Sequence, residues 1–152
     1  MRSAEFSLAT AVAAAERGET VVWVVDFLAS RGSDNEVLAA ALALEEHWWL
    51  GPLRVPLDDL HRLAGPEDDV PCRIDEDEWE DDLASMESSL EDGWEPPPLL
   101  VEYDNGRLLL QDGNHRYEAL QRAGEHDAWV LVYFGDAADR DRFVSERPVS
   151  TA

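Results

Sequence analysis

The sequence predicts an α/β (α+β) fold, a small mixed sheet with helices, preceded by a short helical N-terminal extension. Three observations carry it. Residues 108–124 read as an apolar run (Leu108, Leu109, Leu110), a tight Asp112-Gly113 turn and a helix that Gly124 closes. Asn105-Gly106, set between two apolar runs, is a hairpin signal. Before Gly51-Pro52 the apolar residues recur instead at helical spacing. The 152 residues therefore divide into a helical extension over 1–51, an α/β domain over 52–145 and a loose tail over 146–152.

In chain order, residues 6–17 place Leu8, Ala9, Val12 and Ala13 at helical spacing, with Gly18 as the stop. The run 21–28 is apolar around Asp26 and too short to span a bilayer. It reads as a buried helix, with a strand as the competing reading because of its valines. Ser33 and Glu36 have capping-box spacing and open a third helix carrying Val37, Leu38, Ala41, Leu42, Trp48 and Trp49. Residues 53–60 predict a strand and turn, and 61–73 a loop. Trp79, Leu83, Met86 and Leu90 form one face of a helix over 75–91, whose acidic start suits the helix dipole. After Gly93 and three prolines, strands are expected over 99–103 and 107–111, then a helix over 114–123 with Asn114 as its N-cap. A central strand over 129–134 and a last helix, capped by Asp136 with Phe143 and Val144 inward, complete the domain.

Composition narrows the function classes. The formal net charge is −22, and residues 66–95 hold fourteen acids against one base, Arg73. Such a field opposes a polyanion, so no nucleic-acid partner is expected and a nuclease is disfavoured. All twelve basic residues are Arg. Without Lys there is no Schiff base and no Walker-type phosphate lysine. The single cysteine, Cys72, forms no intramolecular disulfide and reads as a buried small hydrophobe. A cytoplasmic protein with no membrane partner and no signal peptide is expected.

The start of the 114–123 helix is the candidate site. Helix N-termini present backbone N–H groups without intrahelical partners at the positive end of the dipole, which suits a phosphate. Gly113 lets a ligand approach, and His115 and Arg116 add side-chain donors beside it. Asp112-Gly113-Asn114-His115-Arg116-Tyr117-Glu118-Ala119 resembles the signature of the ParB/sulfiredoxin superfamily, in which a helix opens onto nucleotide phosphates. Val55-Pro56-Leu57-Asp58-Asp59-Leu60 is similar to its first strand, and the likeness runs over about residues 53–134. Asn114 stands where sulfiredoxins have their catalytic Cys, and Asn-His-Arg replaces the usual Glu-Arg-Arg of partitioning ParB proteins. The free-serine-kinase type is the nearer match in motif.

What that resemblance implies is a nucleotide- or phosphate-binding domain, in its sharper form a small-molecule kinase or NTPase using ATP or another nucleotide with Mg²⁺. Gly113, Asn114, His115 and Arg116 would bind phosphate, Asp112 would hold the metal, and Glu67 would be the base, with Asp112 and His115 as its catalytic companions. Arg116→Ala is then expected to weaken a ligand and spare the fold. The alternative is a non-catalytic regulatory module that holds a protein partner through its acidic face or its N-terminal helices. Each residue also has a plainer role open to it: Asp112 in its own turn, His115 on backbone, Arg116 against a carboxylate.

Overall fold

The computed structural model describes residues 6–30 and 35–146. Three nine-residue helices come first: α1 (Leu8–Glu16), α2 (Thr20–Leu28) and α3 (Glu36–Leu44). Ser7 caps α1 through a reciprocal bond with Thr10. The α1 face that is buried holds Ala11 and Ala14, while Ala9 is exposed and Val12 and Ala13 only half-buried. The helix reading of 21–28 holds, with Trp23, Val24, Phe27 and Leu28 inward. The proposed cap Ser33 lies outside the described residues; Asn35 stands at the N-cap of α3. Val37 is exposed and Ala39 and Leu42 form the buried face.

The extension's last residues correct the expected third helix. Trp48 and Trp49 belong to strand β1 (Trp48–Pro56), so the expected 51/52 boundary falls inside a strand. Glu45, the C-cap of α3, is already extended, and pairing with a later strand decides what a local apolar pattern left open. β1 breaks register between Leu50 and Leu53, where Gly51 approaches the Val130 carbonyl too closely to carry a Cβ.

After a single 3-10 turn (Leu57–Asp59) the expected loop contains three short strands: β2 (Leu60–Arg62), β3 (Ala64–Gly65) and β4 (Cys72–Arg73). β3 and β4 form a small parallel pair at the surface, which leaves Cys72 exposed rather than buried. Helix α4 (Glu76–Glu91) starts at Asp75, whose carboxylate accepts from the Asp77 and Glu78 N–H groups. β5 (Leu99–Asp104) and β6 (Arg107–Asp112) form the expected hairpin, with Asn105 and Gly106 both at positive φ, as a type I′ turn requires. Then follow α5 (Asn114–Arg122), β7 (Asp127–Phe134) and α6 (Ala137–Glu146). Asp136 accepts from the Asp139 N–H, as a cap should, and Phe143 is buried, but Val144 is exposed.

The main sheet is mixed, in the order β1-β7-β5-β6-β2, so β7 is interior but β5 is the middle strand. Alternation along the strands builds two cores. Val130, Val132 and Phe134 of β7 join Leu99, Val101, Leu110 and Phe143 on one face. Leu131, Tyr133 and Leu100 meet the three N-terminal helices on the other. The extension is thus one layer of the fold. A third cluster, Trp79, Leu83 and Ala119, packs α4 on α5.

Candidate functional site

The site grows from the junction of β6 and α5. Gly113 adopts φ +101° and is itself the N-cap, so Asn114 is the first helical residue rather than the cap. A Cβ on Gly113 would lie 2.7 Å from the Leu99 side chain and 2.9 Å from the Arg116 guanidinium. Glycine is required by backbone and by space together. The Tyr117 N–H closes the first turn on the Gly113 carbonyl at 2.8 Å.

Three of the expected ligand groups turn inward. Asn114 Oδ1 accepts from the Leu63 and Ala64 N–H groups at 2.9 and 3.1 Å, and its Nδ2 donates to the Leu110 carbonyl. It fastens the β2–β3 segment to the start of α5. Arg116 is buried; its guanidinium donates to Asp112 Oδ2 at 2.8 Å and to the Pro97 and Pro98 carbonyls, and lies 5.2 Å from the Phe27 ring centre. The other Asp112 oxygen accepts from Asn35 Nδ2 at 3.1 Å. A single buried ion pair therefore joins β6, α5, the proline segment, α2 and the start of α3. Removing one member leaves the other charge unpaired, so Arg116→Ala attacks the fold, contrary to the sequence expectation.

Asp112 fits poorly as a metal ligand for the same reason. Both carboxylate oxygens already accept hydrogen bonds, and among the described residues no group of three or more His, Cys, Asp or Glu is arranged to hold an ion.

His115 and Glu67 remain at the periphery, and the structure supplies a residue that the sequence alone did not reveal. The His115 ring lies 4.4 Å from that of Trp79, and its buried Nε2 has no hydrogen-bond partner, although Asp82 is within 3.4 Å. Burial lowers its pKa below 6.5, more than Asp82 and Asp112 raise it, so the ring is neutral at neutral pH. Arg62 is the missed residue. It sits 5.0 Å from the Trp79 ring centre, pairs with Glu67, and donates to Glu118 Oε1 at 3.3 Å. Arg62 reaches α5 because β2 runs parallel to β6, with Arg62 opposite Leu110. Nothing in the local run Leu60-His61-Arg62 announces that pairing. Glu67, more than a third exposed, is thus tied to α5 through Arg62 and Glu118.

No family model and no curated protein matches the chain. Among solved structures it is similar to a Pnob8-like ParB-N domain, at 20% identity over 64% of this chain and 34% of that one, with a TM-score of 0.40. It is similar to sulfiredoxin from Arabidopsis thaliana at 17% identity over 63% of this chain and 94% of that one, TM-score 0.38. A free serine kinase in complex with AMP is similar at 23% identity over 60% of this chain and 32% of that one, TM-score 0.38. The matched region spans about a third of the length of the ParB-N domain and of the kinase. All three are partial likenesses at low identity.

Proposed function

We propose that this ParB-like fold is a phosphate- or nucleotide-binding domain whose ligand meets the N-terminus of α5. The observation that carries the reading is the helix start at left-handed Gly113, with Arg62 and His115 on its flank. Backbone N–H groups of the first turn would face a phosphate, and Arg62, now paired with Glu67 and Glu118, would supply the positive charge in place of Arg116, which is spent on the core. The finer reading is a phosphotransferase or NTPase acting on a small molecule, with Glu67 as base and ATP or another nucleotide as cosubstrate, whose Mg²⁺ would be held by the nucleotide rather than by Asp112. For that step Glu67 must leave Arg62 and turn to a substrate hydroxyl, and the phosphate is what would draw Arg62 away.

Calorimetry with ATP, ADP, CTP, GTP and sulfate, each with and without Mg²⁺, tests the first part. Arg62→Ala should weaken the ligand by about 1.5–3 kcal/mol, roughly ten- to a hundredfold. Glu67→Gln, which frees Arg62 from its ion pair, should leave the ligand bound at least as tightly and lower turnover, because as a base it acts on a proton that moves only in the reaction. If no anion binds wild type better than Arg62→Ala, the phosphate reading fails.

A second reading is favoured by a different observation: Asp112, Asn114 and Arg116 are all engaged in internal contacts, while α4 turns Glu76, Asp77, Glu78, Asp81 and Asp82 outward. A non-catalytic module holding a basic protein partner on that acidic face would need no ligand at α5. Among the described residues no helix is long and apolar enough to cross a membrane.

A further inference from the structure

At the opposite end of α5 lies a cavity of about 640 Å³, between the C-terminal ends of α4 and α5, the 94–97 segment, the start of β7 and Leu8 of α1. That volume is in the range of small-molecule sites. Leu90, Leu99 and Leu120 give it an apolar part, and Trp94 and Trp129 also line it. Five carboxylates line it, from Glu87, Glu91, Glu95, Glu125 and Asp127, against two guanidinium groups.

Both cations are already committed. Arg122 pairs with Glu80 at 2.9 and 3.0 Å and has Glu87 and Glu118 beside it. Arg54 lies 3.5 Å from Asp127 and 5.7 Å from the Trp129 ring centre. Glu91 and Glu125 are exposed and form no ion pair among the described residues. The backbone adds to the same sign. α4 ends at Glu91 and α5 at Arg122, so two helices direct the negative ends of their dipoles to one cavity, and the last turn of α4 has no basic residue to offset its own. Arg54 over Trp129 shows that an aromatic wall of this cavity already receives a guanidinium.

We propose that the cavity is a binding site for a small organic cation with an apolar body, an aryl- or alkylamine or a guanidine. The apolar part lies on Leu90, Leu99 and Leu120, and the charged head faces Glu91 and Glu125. None of Glu67, Arg62, Gly113 and His115, the residues of the proposed anion site, lines this cavity, although Leu99 lies between the two.

The test uses the full chain with labelled indole nitrogens, titrated with phenethylamine, its neutral analogue phenethyl alcohol and the anion hydrocinnamate. The amine should shift the Trp94 and Trp129 indole signals and bind about tenfold more tightly than the alcohol, with hydrocinnamate weakest. The double substitution Glu91→Gln, Glu125→Gln, at two exposed positions, should cut the amine's advantage to about threefold or less while leaving the other indole signals in place. Equal binding of amine and alcohol, shifts confined to other tryptophans, or no shift at about 10 mM amine would each overturn the proposal.

Discussion

The two ends of α5 use polar residues in opposite ways. At the N-terminus the conspicuous groups face inward: Arg116 and Asp112 are buried as a pair, and Asn114 is buried against the β2–β3 backbone. At the C-terminus the charges stand outward around a partly apolar cavity, and three of its carboxylates, Glu91, Glu95 and Glu125, are in no ion pair among the described residues. A side chain whose hydrogen bonds are complete inside the protein binds a ligand only by giving them up, which costs a full desolvation. A motif can therefore keep its residues and serve the fold, while a stretch with no motif forms the better cavity.

The largest expected effect tests the inward end. Arg116→Ala should lower unfolding stability by about 3–5 kcal/mol in urea denaturation, because Asp112 stays buried and charged. Arg122→Ala, at the outward end and more than a third exposed, should cost less than about 1 kcal/mol. Similar losses at the two positions would erase the distinction. A milder contrast lies in the glycines that flank the helix. Gly124 has φ +85°, and a Cβ added there would meet nothing within 4 Å, so Gly124→Ala should cost only the left-handed strain, about 1–2 kcal/mol. Gly113→Ala adds a clash with Leu99 and should exceed it by about 1–3 kcal/mol.

Smaller still is the proton linkage of His115. Its folded pKa lies below 6.5 because burial disfavours the charged ring, so the unfolded chain takes up the proton first as pH falls. The stability it contributes is complete above about pH 6.5 and is lost as pH falls through 6.5 toward the lower folded value. His115→Gln should flatten the pH dependence of the urea midpoint in that window relative to wild type, and an unchanged slope would place the ring in water. The smallest signal should come from a random DNA duplex, whose anisotropy should stay unchanged with micromolar protein at about 0.15 M salt, given a net charge of −22.

The legible signals are the local ones. Asn105-Gly106, the acidic start of the 75–91 helix and the passage from Leu110 through Gly113 into a helix are set by neighbours in sequence, and each is found where expected. Trp48 and Trp49 mislead because two apolar residues continue a helical face as easily as they begin a strand, and only pairing with Tyr133 and Phe134, some eighty-five residues on, decides. Arg62 and Cys72 escape a local reading for a related reason: short strands inside a polar loop leave no periodicity to read. For the site, sequence locates the helix start but not the direction of its side chains. Asn114 reaches the 63–64 backbone and Asp112 reaches Asn35, partners that lie fifty or more residues away along the chain.

The borders of the main sheet limit how the molecule associates. On one border β2 is only three residues long; on the other, β1 carries Pro52 and Pro56, which have no N–H, and an interrupted register between Leu50 and Leu53. A foreign strand needs a long, regular ladder of open donors and acceptors to add itself to a sheet, and neither border offers one. Fibril-like growth and strand exchange between copies are thereby discouraged, so recognition by this protein falls to side chains and helix ends rather than to β-augmentation.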